Sequence, residues 1–297
     1  MNIISDLKDT DTEILQGEYL KKHTTFSVGG QADYFIYVRD LPSLCKTVKY
    51  LNENNREYFV IGDGTNLLVT DSDIHKVFIK LEGDFSKIAY NGCFVTCGSA
   101  CHLSQVAKDT LSKGLGGLET IGSVPGTIGG ASIMNAGVRY FDFSSYVHEI
   151  CAVDRNGNQV IFPKEKCGYS YRESIFQHTD EYIITHAVLK LEKCDTEPLW
   201  KKLNASIEKR KTTQPKGKCA GCFFKNSDNR SSGKLIEECG LKGLSINDAY
   251  VAAEHGNFIM NRGNATFDDI ISLAEKVKEE VKKQKGFDLV YEVRIVR

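Results

Sequence analysis

The apolar residues of this chain follow two periods, which predict strands and amphipathic helices in alternation. Short runs rich in aromatic and β-branched residues predict strands at 32–38, 58–61, 67–69, 77–81, 87–90, 94–96, 147–153, 159–162 and 182–191. Apolar positions three and four apart predict helices at 41–54, 102–113, 197–210 and 232–239. The first 20 residues are polar and predict an irregular arm.

The last two predicted elements have clear patterns. A long apolar stripe follows Thr266, with Asp269 in a variant of the capping box and Gly286 as the predicted end of the helix. Residues 288–296 then alternate, which predicts a strand with Glu292 and Arg294 on one face. Glu292 is then either half of a surface ion pair or a carboxylate presented to a cleft.

The composition is that of a soluble globular protein. The 297 residues are 41% hydrophobic and 26% charged, with a formal net charge of −1. The chain therefore lacks the excess of basic residues that is typical of proteins that bind nucleic acid or anionic membranes. The N-terminus lacks the pattern of a signal peptide, and no stretch has the apolar length of a membrane span. We therefore expect a cytoplasmic location.

Ten cysteines are the unusual part of the composition. In a reducing compartment most of them are expected to be small hydrophobic residues. Cys93, Cys97 and Cys101 lie where a strand turns into a helix, which favours packing over a metal cluster. Cys219 and Cys222 form a Cys-x-x-Cys pair, either a redox pair or half a zinc site. Because no second pair completes four zinc ligands, we expect no metal.

Eight glycines lie among aliphatic residues between Gly114 and Gly137, which indicates packed backbone rather than a flexible linker. Amides made accessible by glycine form an anion-binding concavity, and a helix starting near Thr127 would add its dipole. A second glycine-rich loop, Gly62–Asn66, separates two predicted strands. The two segments could both bind one polyphosphate. Alternatively, Gly114–Gly137 is a tight loop between packed elements and Gly62–Asn66 is a simple hairpin.

Five segments make the chain similar to a known family. They occur in the order Gly62–Val69, Gly117–Gly137, Tyr169–Phe176, Gly221–Asn226 and Glu292–Arg294. From about Thr24 to Arg294, the chain resembles the UDP-N-acetylenolpyruvoylglucosamine reductases (MurB), the flavoenzymes of peptidoglycan precursor synthesis. Fifty positions separate Arg172 from Cys222, which fits the shorter of the two types in this family.

The resemblance implies an α+β architecture. A two-domain FAD-binding fold of the vanillyl-alcohol-oxidase (PCMH-like) type would be joined to a C-terminal α+β substrate domain. The implied boundaries are 1–80 with 286–297 for the first FAD subdomain, 81–196 for the second and 197–285 for the substrate domain. FAD is the implied cofactor, NADPH the hydride donor, and a monomer the expected state.

The implied FAD-binding residues lie in the two glycine-rich segments. They are Gly62, Asp63, Gly64, Thr65, Asn66, Leu67, Val124, Pro125, Gly126, Thr127, Gly129, Gly130, Asn135, Ala136 and Gly137. Backbone donors from Gly126 to Gly130 would hold the pyrophosphate, and Asn135 would lie beside the cofactor.

The resemblance also implies a reaction, the reduction of the enolpyruvyl group of UDP-N-acetylglucosamine-enolpyruvate to UDP-N-acetylmuramate. Hydride transfer from reduced FAD leaves negative charge on the adjacent carbon and its carboxylate. Arg172 matches the arginine that pairs with this charge, and Glu292 the glutamate that assists in the same pocket. Cys222 replaces the serine that donates the proton in most relatives, and a thiol pKa of about 8.5 makes it the readier acid.

Four further positions match residues that line the family's substrate and nicotinamide site. They are Tyr171, Lys225, Asn226 and His255. The histidine of the shorter type lies near the substrate's diphosphate, and a core histidine is the alternative for His255.

The chain departs from the family pattern at three places, one of which is Ser227 after Asn226, where a proline is frequent. Thr213 stands where a lysine is frequent, and the residues that could supply the lost charge are Arg210, Lys211, Lys216 and Lys218. Asn135-Ala-Gly137 continues as Val-Arg139-Tyr140 rather than Ala-Tyr-Gly, which changes the local loop.

Three alternatives stay open. The chain could be another flavin-dependent oxidoreductase of the same fold, although an alcohol oxidase needs a base rather than an enolate clamp with an acid. It could be a thiol-redox protein built on Cys219 and Cys222. It could also be a non-enzymatic nucleotide-binding module.

Overall fold

The computed structural model describes residues 3–138, 140–227 and 230–297, and the chain divides into two compact units. The first unit comprises Met1–Gln16, Tyr34–Gly62 and His75–Glu208. The second comprises Gly17–Asp33, Asp63–Ile74 and Lys209–Arg297. Each unit is therefore built from three separate stretches of sequence. The three-domain division expected from the resemblance stays a prediction.

Helices and strands mix along the whole described chain, which confirms the α+β prediction. The helices are α1 Ile3–Asp6, α2 Leu41–Glu53, α3 Leu103–Ser112, α4 Ile128–Met134, α5 Glu197–Thr213, α6 Ser232–Glu238 and α7 Phe267–Lys285. The strands are β1 Thr12–Gln16, β2 Ala32–Val38, β3 Tyr58–Val60, β4 Leu67–Val69, β5 Ile74–Leu81, β6 Ile88–Asn91, β7 Phe94–Gly98, β8 Leu115–Gly116, β9 Gly137–Val138, β10 Phe141–Asp142, β11 Val147–Asp154, β12 Gln159–Pro163, β13 Tyr182–Lys190, β14 Glu192–Lys193, β15 Ser245–Ile246, β16 Ala249–Val251, β17 Ile259–Asn261 and β18 Arg294–Val296.

A five-stranded antiparallel sheet in the order β12-β11-β13-β7-β6 organises the larger part of the first unit. The strands predicted at 147–153 and 159–162 form β11 and β12, which pair as an antiparallel hairpin. Buried residues of α3 and α4, such as Val106 and Ile128, share one apolar core with Val95, Ile150 and Leu189 of the sheet. This core fixes the N-terminal end of α4, where the glycine-rich segment lies.

A second sheet of the first unit has the order β1-β2-β5-β3 and packs against α2. Leu44, Val48 and Leu51 form the buried stripe of this helix, and Asp40 caps it by accepting a hydrogen bond from the Ser43 amide. The expected irregular arm is wrong over residues 12–16. This segment forms β1 because its backbone pairs with β2, and backbone pairing needs few apolar side chains at a sheet edge.

Helix α7 dominates the second unit. Thr266 and Asp269 form the predicted capping box, and Gly286 ends the helix in the left-handed conformation with φ of 66°. The buried stripe from Phe267 to Val281 packs with α6 and the small sheet β15-β16-β17 in one apolar core. The prediction for this helix is confirmed.

The expected final strand 288–296 is wrong in its first part. Only Arg294–Val296 forms a strand, paired in parallel with β4. Before it, Tyr291 bridges to Phe224, and Val290 accepts a hydrogen bond from the Lys225 amide. The chain thus changes its backbone partner near Glu292, so that no continuous ladder forms and Glu292 lies outside the strand.

Within the residues that the structure describes, none of the helices combines the length and the apolar character needed to cross a bilayer.

Candidate active site

The glycine-rich segment of the first unit is built around the start of α4. The prediction of a helix near Thr127 is confirmed, because Thr127 is its N-cap and accepts a hydrogen bond from the Gly130 amide at 3.2 Å. Gly62, at the start of the other glycine-rich loop, touches the same residue. A Cβ atom at Gly62 would lie 2.8 Å from Thr127 Oγ1, so the close approach requires glycine. The two segments therefore meet at Gly62 and Thr127.

The first amides of α4 differ from the expected set of phosphate donors. The Ile128 amide donates to Cys101 O and the Gly129 amide to Ser99 O, both at 2.8 Å. The Gly130 amide donates to Thr127 Oγ1. The amides of Gly129 and Gly130 therefore already donate to protein oxygens, and the assignment of these two glycines to an FAD site stays a prediction.

Gly129 leaves space beside the polar side chain of Ser99. A Cβ atom at Gly129 would lie 3.1 Å from Ser99 Cβ. The Ser99 hydroxyl is buried and has no hydrogen-bond partner among the described residues. A buried hydroxyl in this position fits a polar cofactor that completes its hydrogen bond. Sequence reasoning missed Ser99, although the Gly98-Ser99 pair between a strand and a helix is a turn signal.

The loop Gly62–Asn66 is not a hairpin, so the simple alternative for it is wrong. Strand β3 before it pairs with β5, and strand β4 after it pairs with β18. Gly64 has φ of 62°, and a Cβ atom there would lie 2.1 Å from His23 O. The Asn66 side chain donates to Glu292 O at 3.1 Å, and Asn66 O accepts from the Arg294 amide at 3.0 Å. This loop therefore fixes the backbone that carries Glu292.

Arg172 stands on a two-residue turn of the first unit. Ser170 and Glu173 exchange both backbone hydrogen bonds at 3.2 Å, and Tyr171 and Arg172 form the turn between them. Arg172 has φ of 55°, a conformation that non-glycine residues rarely adopt. Such strained backbone is concentrated at functional sites.

The guanidinium group of Arg172 is held by oxygens of the glycine-rich segment. Nη2 donates to Gly137 O at 2.7 Å, and Nη1 donates to Asn135 O at 3.4 Å. The guanidinium carbon lies 5.1 Å from the centre of the Tyr171 ring. The structure therefore brings Arg172, Asn135, Gly137 and Tyr171 together.

Asn135 itself orients this turn. It is buried, has φ of 43° and ends α4. Its Nδ2 donates to Ser170 O at 2.8 Å, and its Oδ1 accepts from the Ser144 amide at 2.9 Å. The side chain thus ties the Arg172 turn to the end of α4. Arg139, the changed position just beyond Gly137, lies outside the described residues.

Cys222 and Glu292 lie on neighbouring backbone segments of the second unit. The Glu292 amide donates to Phe223 O at 2.9 Å, next to Cys222 in the chain. Cys222 is half-buried and packs against the apolar cluster of Ala252, Phe258 and Met260. The backbone segments that carry Cys222 and Glu292 are therefore neighbours within one unit.

Cys219 packs against the same apolar cluster as Cys222. Burial raises the pKa of the Cys219 thiol. A thiol with a raised pKa is a poor nucleophile, which disfavours the redox reading of the pair. Among the described residues, no group of three histidine, cysteine or acidic side chains is arranged to hold a metal ion.

Lys225 and Asn226 lie at the start of α6. The Ser232 hydroxyl donates to Lys225 O at 2.5 Å, and the Ser232 amide donates to Asn226 Oδ1 at 2.9 Å. Asn226 therefore binds the first residue of α6, next to the N-cap Ser231, and its position depends on that helix.

His255 also faces α6. Its Cε1 lies 3.0 Å from the Cβ position of Gly233, and its ring centre lies 4.9 Å from that of Phe258. Nδ1 accepts from the Asn257 amide at 3.2 Å, which leaves the hydrogen of the neutral ring on Nε2. Burial lowers the pKa of His255, and Lys242 lowers it further. The imidazole is therefore a neutral donor at neutral pH.

Thr213, the position without the family lysine, turns its hydroxyl back to Lys209 O at 2.7 Å. Lys218, one of the four cations considered in its place, donates to Gly263 O at 3.4 Å. The residue that replaces the lost charge stays a prediction.

Two family models match the chain. The C-terminal domain of UDP-N-acetylenolpyruvoylglucosamine reductase matches residues 213–296. An FAD binding domain matches residues 32–162. The second match includes both glycine-rich segments and the first includes Cys222 and Glu292.

Relatives cover the whole chain. A UDP-N-acetylenolpyruvoylglucosamine reductase of Caldanaerobacter subterraneus is 35% identical over 99% of this chain and 98% of its own length. The enzyme of the same name from Bacillus subtilis is 33% identical, with the same coverage.

Solved structures give the same result. The UDP-N-acetylenolpyruvylglucosamine reductase of Thermus caldophilus has a TM-score of 0.83 and 32% identity, and it covers 97% of this chain and 100% of its own. The BBE-like 1 protein of Physcomitrella patens, with a TM-score of 0.50 and 14% identity, covers 65% of this chain and 45% of its own. The similarity to the Physcomitrella patens protein concerns the fold alone.

Proposed function

Because the chain belongs to the family of UDP-N-acetylenolpyruvoylglucosamine reductases, we propose that Arg172, Cys222 and Glu292 act in the reaction of that family. In this reaction NADPH reduces the enolpyruvyl group of UDP-N-acetylglucosamine-enolpyruvate, and UDP-N-acetylmuramate is formed for peptidoglycan synthesis. The enzyme is an FAD-dependent oxidoreductase. The observation that carries the proposal is the pairing of the Cys222 and Glu292 segments through the Glu292 amide and Phe223 O.

The two glycine-rich segments would hold FAD. The contact of Gly62 with Thr127 and the buried hydroxyl of Ser99 beside Gly129 support this assignment. FAD supplies the hydride, which it takes from NADPH. The protein contributes a shaped backbone on which a bulky, polar cofactor can lie.

Arg172 would stabilise the negative charge that develops on the substrate. Its turn and its two carbonyl acceptors fix the planar guanidinium before the reaction starts. A planar fork of N–H donors suits a carboxylate and the enolate conjugated to it. Because the group is already oriented, little reorganisation opposes charge stabilisation in the transition state.

Cys222 would then donate its Sγ proton to the carbon that carries this charge. An aliphatic hydroxyl is a far weaker acid than a thiol, so cysteine is suited to proton transfer near neutral pH. The resulting thiolate takes a proton from solvent before the next turnover. Glu292, on the neighbouring segment, would assist by hydrogen bonding in the same pocket.

The remaining candidates would bind the substrate rather than react. The neutral Nε2–H of His255 is suited to donate to a diphosphate oxygen. Lys225 and Asn226, at the start of α6, and Tyr171, beside Arg172, would line the site. The cytoplasmic location and the monomeric state stay predictions.

The proposal is tested by following NADPH oxidation by the purified yellow protein. We expect oxidation only when UDP-N-acetylglucosamine-enolpyruvate is present, with one product that has gained two hydrogens. A flavin-free protein that cannot be reconstituted, or a flavoprotein that does not consume this sugar nucleotide, would overturn the proposal.

A further inference from the structure

Asn257 is a buried amide that binds the backbone next to Cys222. It is 1% exposed. Its Oδ1 accepts from the Phe224 amide at 2.9 Å, and its Nδ2 donates to Phe224 O at 2.8 Å. Its main-chain oxygen accepts from the Phe223 amide at 2.8 Å. One residue therefore satisfies three of the four polar groups of the Phe223–Phe224 backbone.

The opposite edge of this backbone pairs with the segment of Glu292. Phe223 O accepts from the Glu292 amide at 2.9 Å, and the Lys225 amide donates to Val290 O at 2.8 Å. The Phe224 ring stacks on the Tyr291 ring with centres 5.6 Å apart. The backbone of Phe223 and Phe224 thus lies between two partners, Asn257 on one side and the segment of Glu292 on the other.

Asn257 also sets the state of His255. The main-chain N–H of Asn257 donates to His255 Nδ1 at 3.2 Å, so the hydrogen of the neutral imidazole lies on Nε2. The same residue therefore contacts the backbone next to Cys222 on one side and an imidazole of the substrate set on the other.

We propose that Asn257 is a positioning residue for the reaction. It holds Cys222 and Lys225 in register with Glu292 and fixes the Nε2–H tautomer of His255. The inference rests on the function proposed above and adds a residue that does not itself touch the substrate. A displacement of about 1 Å at a reacting group can lower a rate by about 100-fold. A shift of the Cys222 backbone relative to the Glu292 segment is therefore expected to slow the reaction.

The variant Asn257→Asp separates positioning from general stability. The carboxylate keeps the shape and can still accept from the Phe224 amide, but its second oxygen faces Phe224 O and can no longer donate. Asn261 offers a matched control in the same unit. It is also buried, its Nδ2 donates to Phe26 O at 2.9 Å, and its Oδ1 accepts from the Ala265 amide at 3.0 Å.

The experiment compares Asn257→Asp, Asn261→Asp and the unaltered protein. Stopped-flow measurements give the rate of flavin reduction by NADPH and the rate of flavin reoxidation by the enolpyruvyl sugar. We expect reoxidation to slow by about 10-fold to 100-fold in Asn257→Asp and to be unchanged in Asn261→Asp. Equal slowing of reoxidation in both variants would overturn the proposal.

A second measurement does not depend on turnover. Alkylation of Cys222 by iodoacetamide is followed by peptide mass spectrometry, with the exposed Cys194 as the reference within each molecule. We expect the Cys222-to-Cys194 rate ratio to change in Asn257→Asp and to stay constant in Asn261→Asp. Since this ratio needs no substrate, it tests the positioning role even if the proposed reaction is wrong, and an unchanged ratio contradicts that role.

The unaltered holoenzyme provides a test that holds even if Asn257→Asp does not fold. The amides of Phe223 and Phe224 both donate to Asn257, so we expect them to exchange hydrogen as slowly as the paired amides of β16 and β17. Exchange at the rate of an open loop would overturn the proposal.

Discussion

Arg172 shows how much positioning a single side chain requires. The left-handed backbone of its turn, the nearby Tyr171 ring and the carbonyl oxygens of Asn135 and Gly137 all restrict its guanidinium group. A non-glycine residue in this backbone conformation costs about 1–2 kcal/mol, which the surrounding hydrogen bonds must offset. The arrangement is therefore consistent with a group oriented in advance for charge stabilisation.

Replacing Arg172 by lysine is expected to lower kcat by about 100-fold to 1,000-fold, because an ammonium group cannot reproduce the planar fork. The FAD content is expected to stay at the level of the unaltered protein. Steady-state kinetics and the flavin absorbance measure the two quantities. Arg262→Lys is the matched control, since Arg262 also lies over a tyrosine ring, at 4.5 Å from the centre of Tyr250. A kcat as high in Arg172→Lys as in the control would refute the role.

The candidate reactive residues can be named from the sequence more readily than the residues that hold them in place. Arg172, Cys222 and Glu292 stand in recognisable motifs, and their roles stay predictions. Asn257 has no such signal, because its importance depends on its burial and on partners far away in the chain. Ser99 has only a turn signal, and the burial of its hydroxyl without a partner among the described residues could not be predicted. Asn135 could be placed at the cofactor segment, but its bonds to Ser170 and Ser144 could not be predicted.

The elements that support the site differ in how far local pattern defines them. Helix α7 follows from its capping box, its apolar stripe and Gly286, all of which are local signals. The final strand was predicted too long, because alternation does not reveal where the chain exchanges one backbone partner for another. The Gly62–Asn66 loop likewise required tertiary information, since its two flanking strands pair with different neighbours.

Gly64 allows a direct test of this loop. Alanine at Gly64 must adopt a positive φ and also meets His23 O at 2.1 Å. We expect it to lower the free energy of unfolding by about 2–4 kcal/mol and to reduce the FAD content. Gly17→Ala is the control, because Gly17 has a similar φ of 65° and open space at the Cβ position. That variant is expected to cost only about 1 kcal/mol.

Urea unfolding of both variants gives the two free energies. Equal costs at Gly64 and Gly17 would show that the close approach to His23 O does not matter.

For the whole molecule, the candidate residues divide between two separately packed units. Arg172 is held by bonds within the first unit, and Cys222 and Glu292 by bonds within the second. The reaction has two steps, the reduction of FAD by NADPH and the reduction of the substrate. A residue that only donates a proton to the substrate is required for the second step alone.

Stopped-flow measurement of the two half-reactions in Cys222→Ala therefore tests the central claim most directly. Cys219→Ala is the control, because Cys219 lies three positions away and packs against the same apolar cluster. We predict that NADPH reduces FAD at an unchanged rate in both variants. The enolpyruvyl sugar should reoxidise the flavin normally in Cys219→Ala, but about 100-fold to 10,000-fold more slowly in Cys222→Ala. Reoxidation of Cys222→Ala at the rate of the control would contradict the assignment of Cys222 as the proton donor.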